Sequence, residues 1–196
     1  FIHFDGTDMS LEKPELIMVC AEKLFIEHGF HGTSMQMIAK AAGIAAGTVY
    51  LHFPGKEVLI RTIYRRAVTG IISCLLQGYN AELPPFERYR QFWLNAYKEL
   101  QHKQCIVRFK ELYERSPFYN KDDFAWADEQ WAPIEQFYQD GIDSGLFRNV
   151  PACLLGSLSL GSVLNITQTQ RVTPLEMTSE LEEEIIRASW RAILAE

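Results

Sequence analysis

The chain has 196 residues, 47% of them hydrophobic and 22% charged, so it can bury a sizeable core and is excluded from the disordered and low-complexity classes. Its formal net charge of −6 argues against a polyanionic partner for the chain as a whole. The charge is uneven, however, because residues 9–66 carry 7 basic and 5 acidic side chains while residues 67–196 carry 12 and 18, which indicates two functions on one chain.

The first nine residues carry no recognisable pattern. They lack the basic start and the apolar run of a secretory signal, and we interpret residues 1–9 as a tag or disordered start before Met9. From residue 13 onward the apolar spacing is helical almost throughout. It predicts an all-α protein of about nine helices.

The first third of the chain is predicted to contain four helices. Apolar residues at positions 17, 20, 21, 24 and 25 share one helical face, and Gly29 ends this first helix. Ser34 is the predicted N-cap of the second helix, which ends at Gly43. The third helix follows Ala45 and therefore lacks a side-chain cap. The predicted helices are 13–28, one between Ser34 and Gly43, 46–52, and a fourth that starts near Lys56.

Longer helices are predicted in the rest of the chain. Pro133 lies inside one of them and is expected to kink it. The segment between Arg148 and Arg171 has no charged residue, and we predict that it forms a single buried helix. Its apolar part, residues 152–166, is shorter than the roughly 20 residues that span a bilayer, so no membrane partner is expected. The predicted helices are 86–101, 104–114, 122–144, 151–169 and one from Pro174 to residue 194.

The second and third helices have the spacing of a helix-turn-helix. Two short helices joined around a glycine form this motif, and here the joint is Ala42-Gly43-Ile44. Gly43 can adopt the left-handed backbone conformation that a tight helix-ending turn requires. The third helix would then present its outer face to solvent, where it could enter the major groove of DNA.

The residues around this joint resemble the DNA-binding signature of the TetR family of transcriptional regulators. The matching elements are AEKLFIEHGFHGTS, I-A-x-x-A-G-I, G-T-V-Y-x-H-F and K-E-x-L, in the family's order and spacing over about residues 15–59. The remaining two-thirds of the chain matches only in length and helical character. The resemblance implies an all-α fold with a three-helix helix-turn-helix DNA-binding domain over 10–55. A helical effector-binding and dimerisation domain would follow over 56–196.

The resemblance and the residue chemistry together predict the side chains that contact double-stranded DNA. Thr48 can bond a base edge or touch a thymine methyl group, and Gln36 can also reach a base. Gly47 permits close backbone approach, and hydroxyl, imidazole and ammonium groups suit phosphate oxygens. Ala45 and Ala46 replace the serine and the polar residue common in the family, which favours apolar contact with thymine. The predicted DNA-binding residues are Ser34, Gln36, Ala46, Gly47, Thr48, Tyr50, His52 and Lys56.

An aromatic-rich region in the second part of the chain suggests an effector pocket. Most of these rings must form the core, but aromatic side chains can also line a pocket for a flat or lipophilic ligand. By the resemblance, such a pocket lies among the helices that follow the DNA-binding region, and no cofactor is implied. The candidate contacts with this small hydrophobic ligand are Trp93, Tyr97, Phe109, Tyr113 and Tyr138.

A homodimer is predicted from the uncharged helix and the last helix. The uncharged helix is apolar on more than one side, so other helices must bury it. Two such helix pairs from two copies would form a four-helix interface, whose twofold symmetry would match a palindromic operator. The candidate dimerisation residues are Leu154, Leu158, Gly161, Ile186 and Trp190.

The leading hypothesis is a ligand-responsive repressor, and three alternatives stay open. One is a regulator that senses electrophiles or oxidants through Cys105, whose sequence neighbours are cationic. Another is a protein-interaction module that has lost DNA binding, as Ala45 and Ala46 would permit. The third is a small helical enzyme, although none of the common catalytic motifs occurs in the sequence.

The cysteine and histidine patterns predict the environment of the protein. The four cysteines are far apart and form no C-x-x-C pair, which predicts free thiols in a reducing, cytoplasmic compartment. His28 and His31 form an H-x-x-H spacing, but no cysteine or carboxylate completes it. We therefore predict no metal site.

Overall fold

The computed structural model describes residues 12–102, 104–173 and 175–195, so the predicted tag at 1–9 and Pro174 lie outside the described residues. The described chain is all-α, as predicted, with one isolated bridge between Phe147 and Leu194. Its ten helices are α1 (Lys13–Gly32), α2 (Met35–Ala41), α3 (Ala46–His52), α4 (Lys56–Leu75), α5 (Pro85–His102), α6 (Gln104–Glu114), α7 (Lys121–Asp143), α8 (Ala152–Leu158), α9 (Gly161–Val172) and α10 (Ser179–Arg191).

The uncharged segment forms two helices, which corrects the prediction of one helix over 151–169. The helix is interrupted at Ser159, whose φ and ψ are −103° and −81°. The Ser159 hydroxyl donates to the carbonyl oxygen of Leu155 at 2.6 Å and also lies 2.8 Å from the hydroxyl oxygen of Tyr138. Such side-chain bonds to the backbone compete with helix continuation. No helix within the described ranges has both the length and the apolar character needed to cross a bilayer.

The last helix also differs from its prediction. It begins at Ser179, because the side chain of Thr178 caps it by accepting a hydrogen bond from the backbone N–H of Leu181 at 3.3 Å. A threonine cap satisfies one of the free N–H groups at a helix start. The predicted start at residue 174 was therefore too early.

The described chain divides into two compact units. The first contains α1 to α3, α4 up to Ala67, and residues 105–120; the second contains the chain from Val68 to residue 104 and from Lys121 onward. The predicted boundary at residue 55 differs from this division. The reason is packing: the ring of Tyr64 on α4 lies 4.5 Å from that of Tyr113 on α6.

Aromatic rings form the centre of the first unit. Phe30, near the end of α1, contacts Phe25 at 5.2 Å, Phe109 at 5.8 Å and Phe118 at 5.6 Å between ring centroids. Edge-to-face pairs of this kind contribute about 0.5–1.5 kcal/mol each beyond their buried area. Gly29 lies within the range of α1 but has a φ of 71°, which is not helical and redirects the chain. Glycine adopts this conformation without strain, and the change of direction lets Phe30 reach its position.

The second unit has its own core, to which α5 contributes the buried rings of Tyr89, Phe92, Trp93 and Tyr97. The ring of Phe92 lies 5.3 Å from that of Phe137 on α7, in edge-to-face geometry. Helix α10 adds a hydroxyl to this core, because Ser189 accepts a hydrogen bond from the hydroxyl of Tyr89 at 2.7 Å. Buried polar groups must find such partners.

Candidate nucleic-acid interface

Helices α2 and α3 form the predicted helix-turn-helix around Gly43. Gly43 has a φ of 65°, the left-handed conformation expected from the sequence. The turn is closed by backbone hydrogen bonds, in which Gly43 donates to Lys40 at 3.2 Å and Ile44 donates to Ala39 at 3.0 Å. This fixes the angle at which α3 leaves α2.

Helix α3 presents one face to the core and the opposite face to solvent. Val49 is completely buried and anchors the inner face. On the outer face Gly47, Tyr50 and His52 are exposed, while Ala46 and Thr48 are half-buried, beside the core. The N-cap residue is Ala45, which makes no side-chain cap, as predicted. The outer face is therefore free to meet a duplex.

The two predicted contacts of α2 lie at its start. Ser34 caps the helix, with its hydroxyl oxygen accepting from the backbone N–H of Met37 at 3.2 Å. The hydroxyl proton of Ser34 can therefore be donated to a phosphate oxygen. Gln36 is exposed beside it. Both residues are accessible for the contacts predicted from the sequence.

Lys56 makes internal contacts, and its role as a phosphate ligand stays a prediction. Its ammonium group donates to the carbonyl oxygens of Phe30 at 2.8 Å and Thr33 at 3.1 Å. These carbonyls lie where α1 ends, and a cation there also interacts favourably with the helix dipole. Two of its three N–H donors are thus committed to holding the start of α4 against the end of α1.

Leu51 was not included among the predicted DNA-binding residues, although it is the most exposed large apolar group on α3. Its side chain is 85% exposed. The signal was present in the sequence, because a large aliphatic residue two positions after the core residue Val49 must point away from the core.

An ion-pair network holds α1 to α4 behind the helix-turn-helix. Arg66 on α4 pairs with Glu15 and, at 2.8 Å, with Glu22, both on α1. Glu22 is buried, and this burial raises the pKa of its carboxyl even though Arg66 acts in the opposite direction. The network joins the helix that precedes the motif to the helix that follows it.

The predicted effector residues are divided between the two units. Phe109 and Tyr113 belong to the first unit and are buried in its aromatic core, and their assignment to an effector pocket stays a prediction. Trp93, Tyr97 and Tyr138 belong to the second unit and are also buried. Long-range packing of residues 105–120 causes this separation, and helical periodicity does not reveal such packing.

Trp93 and Tyr97 form a stacked pair in the second unit, and Trp93 has an unused hydrogen-bond donor. Their rings stack at 5.1 Å with an angle of 24° between planes. The hydroxyl of Tyr97 donates to Gln170 on α9 at 2.9 Å. The indole Nε1 of Trp93 is buried and has no hydrogen-bond partner among the described residues. A buried N–H without an acceptor costs about 1–3 kcal/mol, so an acceptor from outside the chain would be bound favourably.

The predicted dimerisation residues fall into two classes. Leu154 and Leu158 on α8 are 52% and 54% exposed, and Gly161 is also exposed. Ile186 is completely buried, and the ring of Trp190 packs 5.2 Å from that of Phe147. We therefore correct the assignment of Ile186, which belongs to the core of a single copy, whereas Trp190 is half-buried and its assignment stays a prediction.

The four cysteines are free thiols. Cys105 and Cys153 are exposed, whereas burial raises the pKa of the half-buried Cys20. The exposure of Cys105 is compatible with the sensor alternative, which stays a hypothesis.

Two family models match the chain in agreement with this geometry. The model described as "Bacterial regulatory proteins, tetR family" matches residues 17–63, which include the whole helix-turn-helix. The model described as "Tetracyclin repressor-like, C-terminal domain" matches residues 84–194. Together they cover both the DNA-binding motif and the core helices of the second unit.

Individual relatives agree with the family models. An HTH-type transcriptional regulator of Haemophilus influenzae is 28% identical over 179 residues, which cover 91% of this chain and 94% of that protein. The HTH-type transcriptional repressor KstR2 of Mycolicibacterium smegmatis is 24% identical over 139 residues, or 69% of this chain and 67% of the repressor. A TetR-family structure from Vibrio parahaemolyticus has a TM-score of 0.81 at 28% identity, covering 94% of this chain and 100% of that one. The chain belongs to the TetR family, whose members are DNA-binding transcriptional regulators and not enzymes.

Proposed function

We propose that this regulator is a homodimeric repressor that binds a palindromic operator and leaves it when a small lipophilic or aromatic effector binds. The observation that carries the DNA-binding part is the outward face of α3, held in place by the buried Val49. Repression is supported by similarity to KstR2, whose name describes a transcriptional repressor.

The dimer is supported by the exposed apolar side chains of α8. Leu154 and Leu158 lie one turn apart on this helix, and Gly161 begins α9 close by in the sequence. Exposed leucines one turn apart are stabilised when a second copy covers them, and small residues allow helices to approach closely. In a twofold dimer two recognition helices would address half-sites separated by about 34–36 Å or a multiple of it.

The effector is proposed to bind beside Trp93 and Tyr97. The two stacked rings are buried and would contact a ligand that enters the core of the second unit, where the unpartnered N–H of Trp93 offers one directed donor. This combination fits a flat ligand with a carbonyl, ether or ring-nitrogen acceptor. Such a ligand would release DNA only if it binds the DNA-incompetent state more tightly than the DNA-bound state.

Selection of bound sequences from a random duplex pool tests the DNA-binding part of the proposal. Recovery of an inverted repeat, with two copies of the protein per duplex, is the expected result. Recovery of no preferred sequence would contradict an operator-binding function and favour the alternative of a protein-interaction module.

A ligand screen on the recovered operator tests the effector part. Flat aromatic compounds with and without a hydrogen-bond acceptor are compared for their ability to release the protein from DNA. We expect release by acceptor-bearing compounds, and a weaker response in Trp93→Phe, which keeps the ring stack but removes the N–H. Equal release of both proteins by the same compounds would contradict the assignment of Trp93.

A further inference from the structure

The recognition helix lacks the side chains that usually read purines. Bidentate recognition of guanine uses Arg or Lys, and recognition of adenine uses Asn or Gln. The sequence of α3 is AGTVYLH and contains none of these four residue types. Its polar groups are limited to Thr48, Tyr50 and His52, so hydrogen bonding can supply only part of its sequence discrimination.

The outer face of α3 is dominated by an apolar group. Leu51 is 85% exposed, and Gly47, one turn earlier on the same face, has no side chain. A Cβ atom built at Gly47 would have no neighbour within 4 Å, so the space above this turn is open. Because helical side chains incline towards the helix start, Leu51 extends over the turn that contains Gly47.

Thymine is the base that presents an apolar group in the major groove. Its C5-methyl group projects there, whereas the other bases present hydrogen-bond donors and acceptors at their groove edges. Burial of a leucine against such a methyl removes apolar surface of both partners from water. We propose that Leu51 reads a thymine methyl group in each operator half-site and is a principal determinant of sequence specificity on α3. This inference rests on the proposed binding of an operator by α3.

Neighbouring residues support this orientation. Tyr50 and His52 lie on either side of Leu51 in the sequence, are exposed, and carry polar tips suited to phosphate oxygens. Gly47 allows the backbone to approach the base edges without obstruction. Backbone contacts on both sides would therefore hold Leu51 over the bases, where its aliphatic side chain has a favourable partner only at thymine.

Replacement of thymine by deoxyuridine provides the test, because it removes the methyl group and keeps the base pair. The operator is first obtained by selection, and each thymine of one half-site is then replaced in turn. Dissociation constants are measured at one salt concentration for the wild type, for Leu51→Ala and for Leu83→Ala. Leu83 is an exposed leucine of the second unit and is the matched control.

We expect one replacement to weaken binding of the wild type about four-fold, equivalent to about 0.8 kcal/mol for one buried methyl-sized group. Leu51→Ala should bind thymine DNA more weakly and show no further loss at that position, whereas Leu83→Ala should behave as the wild type. Binding of the wild type that is insensitive to every replacement, or a loss of equal size in Leu51→Ala, would overturn the inference while leaving operator binding intact. Absence of any preferred sequence would overturn operator binding itself, and with it this inference.

Discussion

The ammonium group of Lys56 lies 2.8 Å from the carbonyl oxygen of Phe30 and ties the start of α4 to the end of α1. A lysine at this place in the sequence suits a phosphate contact, but in the folded chain it holds together the helices that flank the recognition motif. The two roles of Lys56 can be distinguished by experiment, because loss of a phosphate contact changes the salt dependence of DNA binding and loss of an internal hydrogen bond does not.

Lys56→Met keeps the length of the side chain and removes its charge. We expect the free energy of unfolding to fall by about 1–3 kcal/mol, because carbonyl groups of Phe30 and Thr33 lose a charged donor. The slope of log affinity against log salt should stay unchanged, whereas loss of a phosphate contact would reduce it by about 0.9 per contact. Lys40→Met, at an exposed position of α2, is the stability control. A shallower slope with unchanged stability would support the phosphate contact of Lys56 and contradict the structural role.

Gly141 on α7 is expected to tolerate no side chain. A Cβ atom there would overlap the ring of Phe147, which is itself buried. We expect Gly141→Ala to destabilise the protein by about 1–3 kcal/mol, the usual cost of overpacking a core. Gly70→Ala is the matched control in α4, where the new methyl would meet no atom within 4 Å. It should be neutral or stabilise by up to about 1 kcal/mol. Urea unfolding measures the stability of both variants. Equal changes in the free energy of unfolding would contradict the packing argument.

Glu22 is expected to make stability depend on pH in a defined direction. Burial raises the pKa of this carboxyl, so the native state holds its proton more tightly than the unfolded chain does. Its contribution to stability is therefore complete below the ordinary glutamate pKa and is lost as pH rises through the raised value. The stability of the wild type relative to Glu22→Gln should fall as the pH rises above the ordinary glutamate pKa.

Urea unfolding at several pH values, carried out on both proteins, checks this direction. Both keep Arg66 and its second partner Glu15, so the comparison isolates the titration of Glu22. A relative stability that rises with pH would mean that attraction by Arg66 outweighs burial.

Charges introduced on α8 should separate the proposed dimer. We expect Leu154→Glu combined with Leu158→Glu to shift the protein from dimer to monomer in sedimentation experiments and to weaken operator binding. The physical reason is that a carboxylate cannot be buried in an apolar interface without a partner. Phe124→Glu alters a residue of α7 that is 60% exposed and serves as the control. An unchanged molecular mass of the double variant would place the interface elsewhere.

The recognition motif could be predicted from the sequence because its determinants are local. Gly43 marks the turn through its backbone freedom, and Val49 marks the inner face of α3 through helical periodicity. Both depend on residues within a few positions of each other. For the same reason the missing cap at Ala45 was predictable.

Features that depend on distant contacts were not predictable in the same way. The helix break at Ser159 is accompanied by a hydrogen bond to Tyr138 on another helix, and serine alone is common within helices. Ile186 and Trp190 have the spacing of an amphipathic face, but spacing does not reveal whether that face meets its own chain or a second copy. The internal role of Lys56 likewise depends on carbonyls more than twenty residues earlier.

The contribution of residues 105–120 to the first unit means that the unit around the recognition helix is built from two separate stretches of the chain. A peptide cut after Ala67 would leave Phe25 and Phe30 without Phe109, and its largest apolar side chains would face water. Grafting this specificity onto another regulator therefore requires two separate stretches of sequence. A chimera made at a single junction would inherit the recognition helix without the rings that support it.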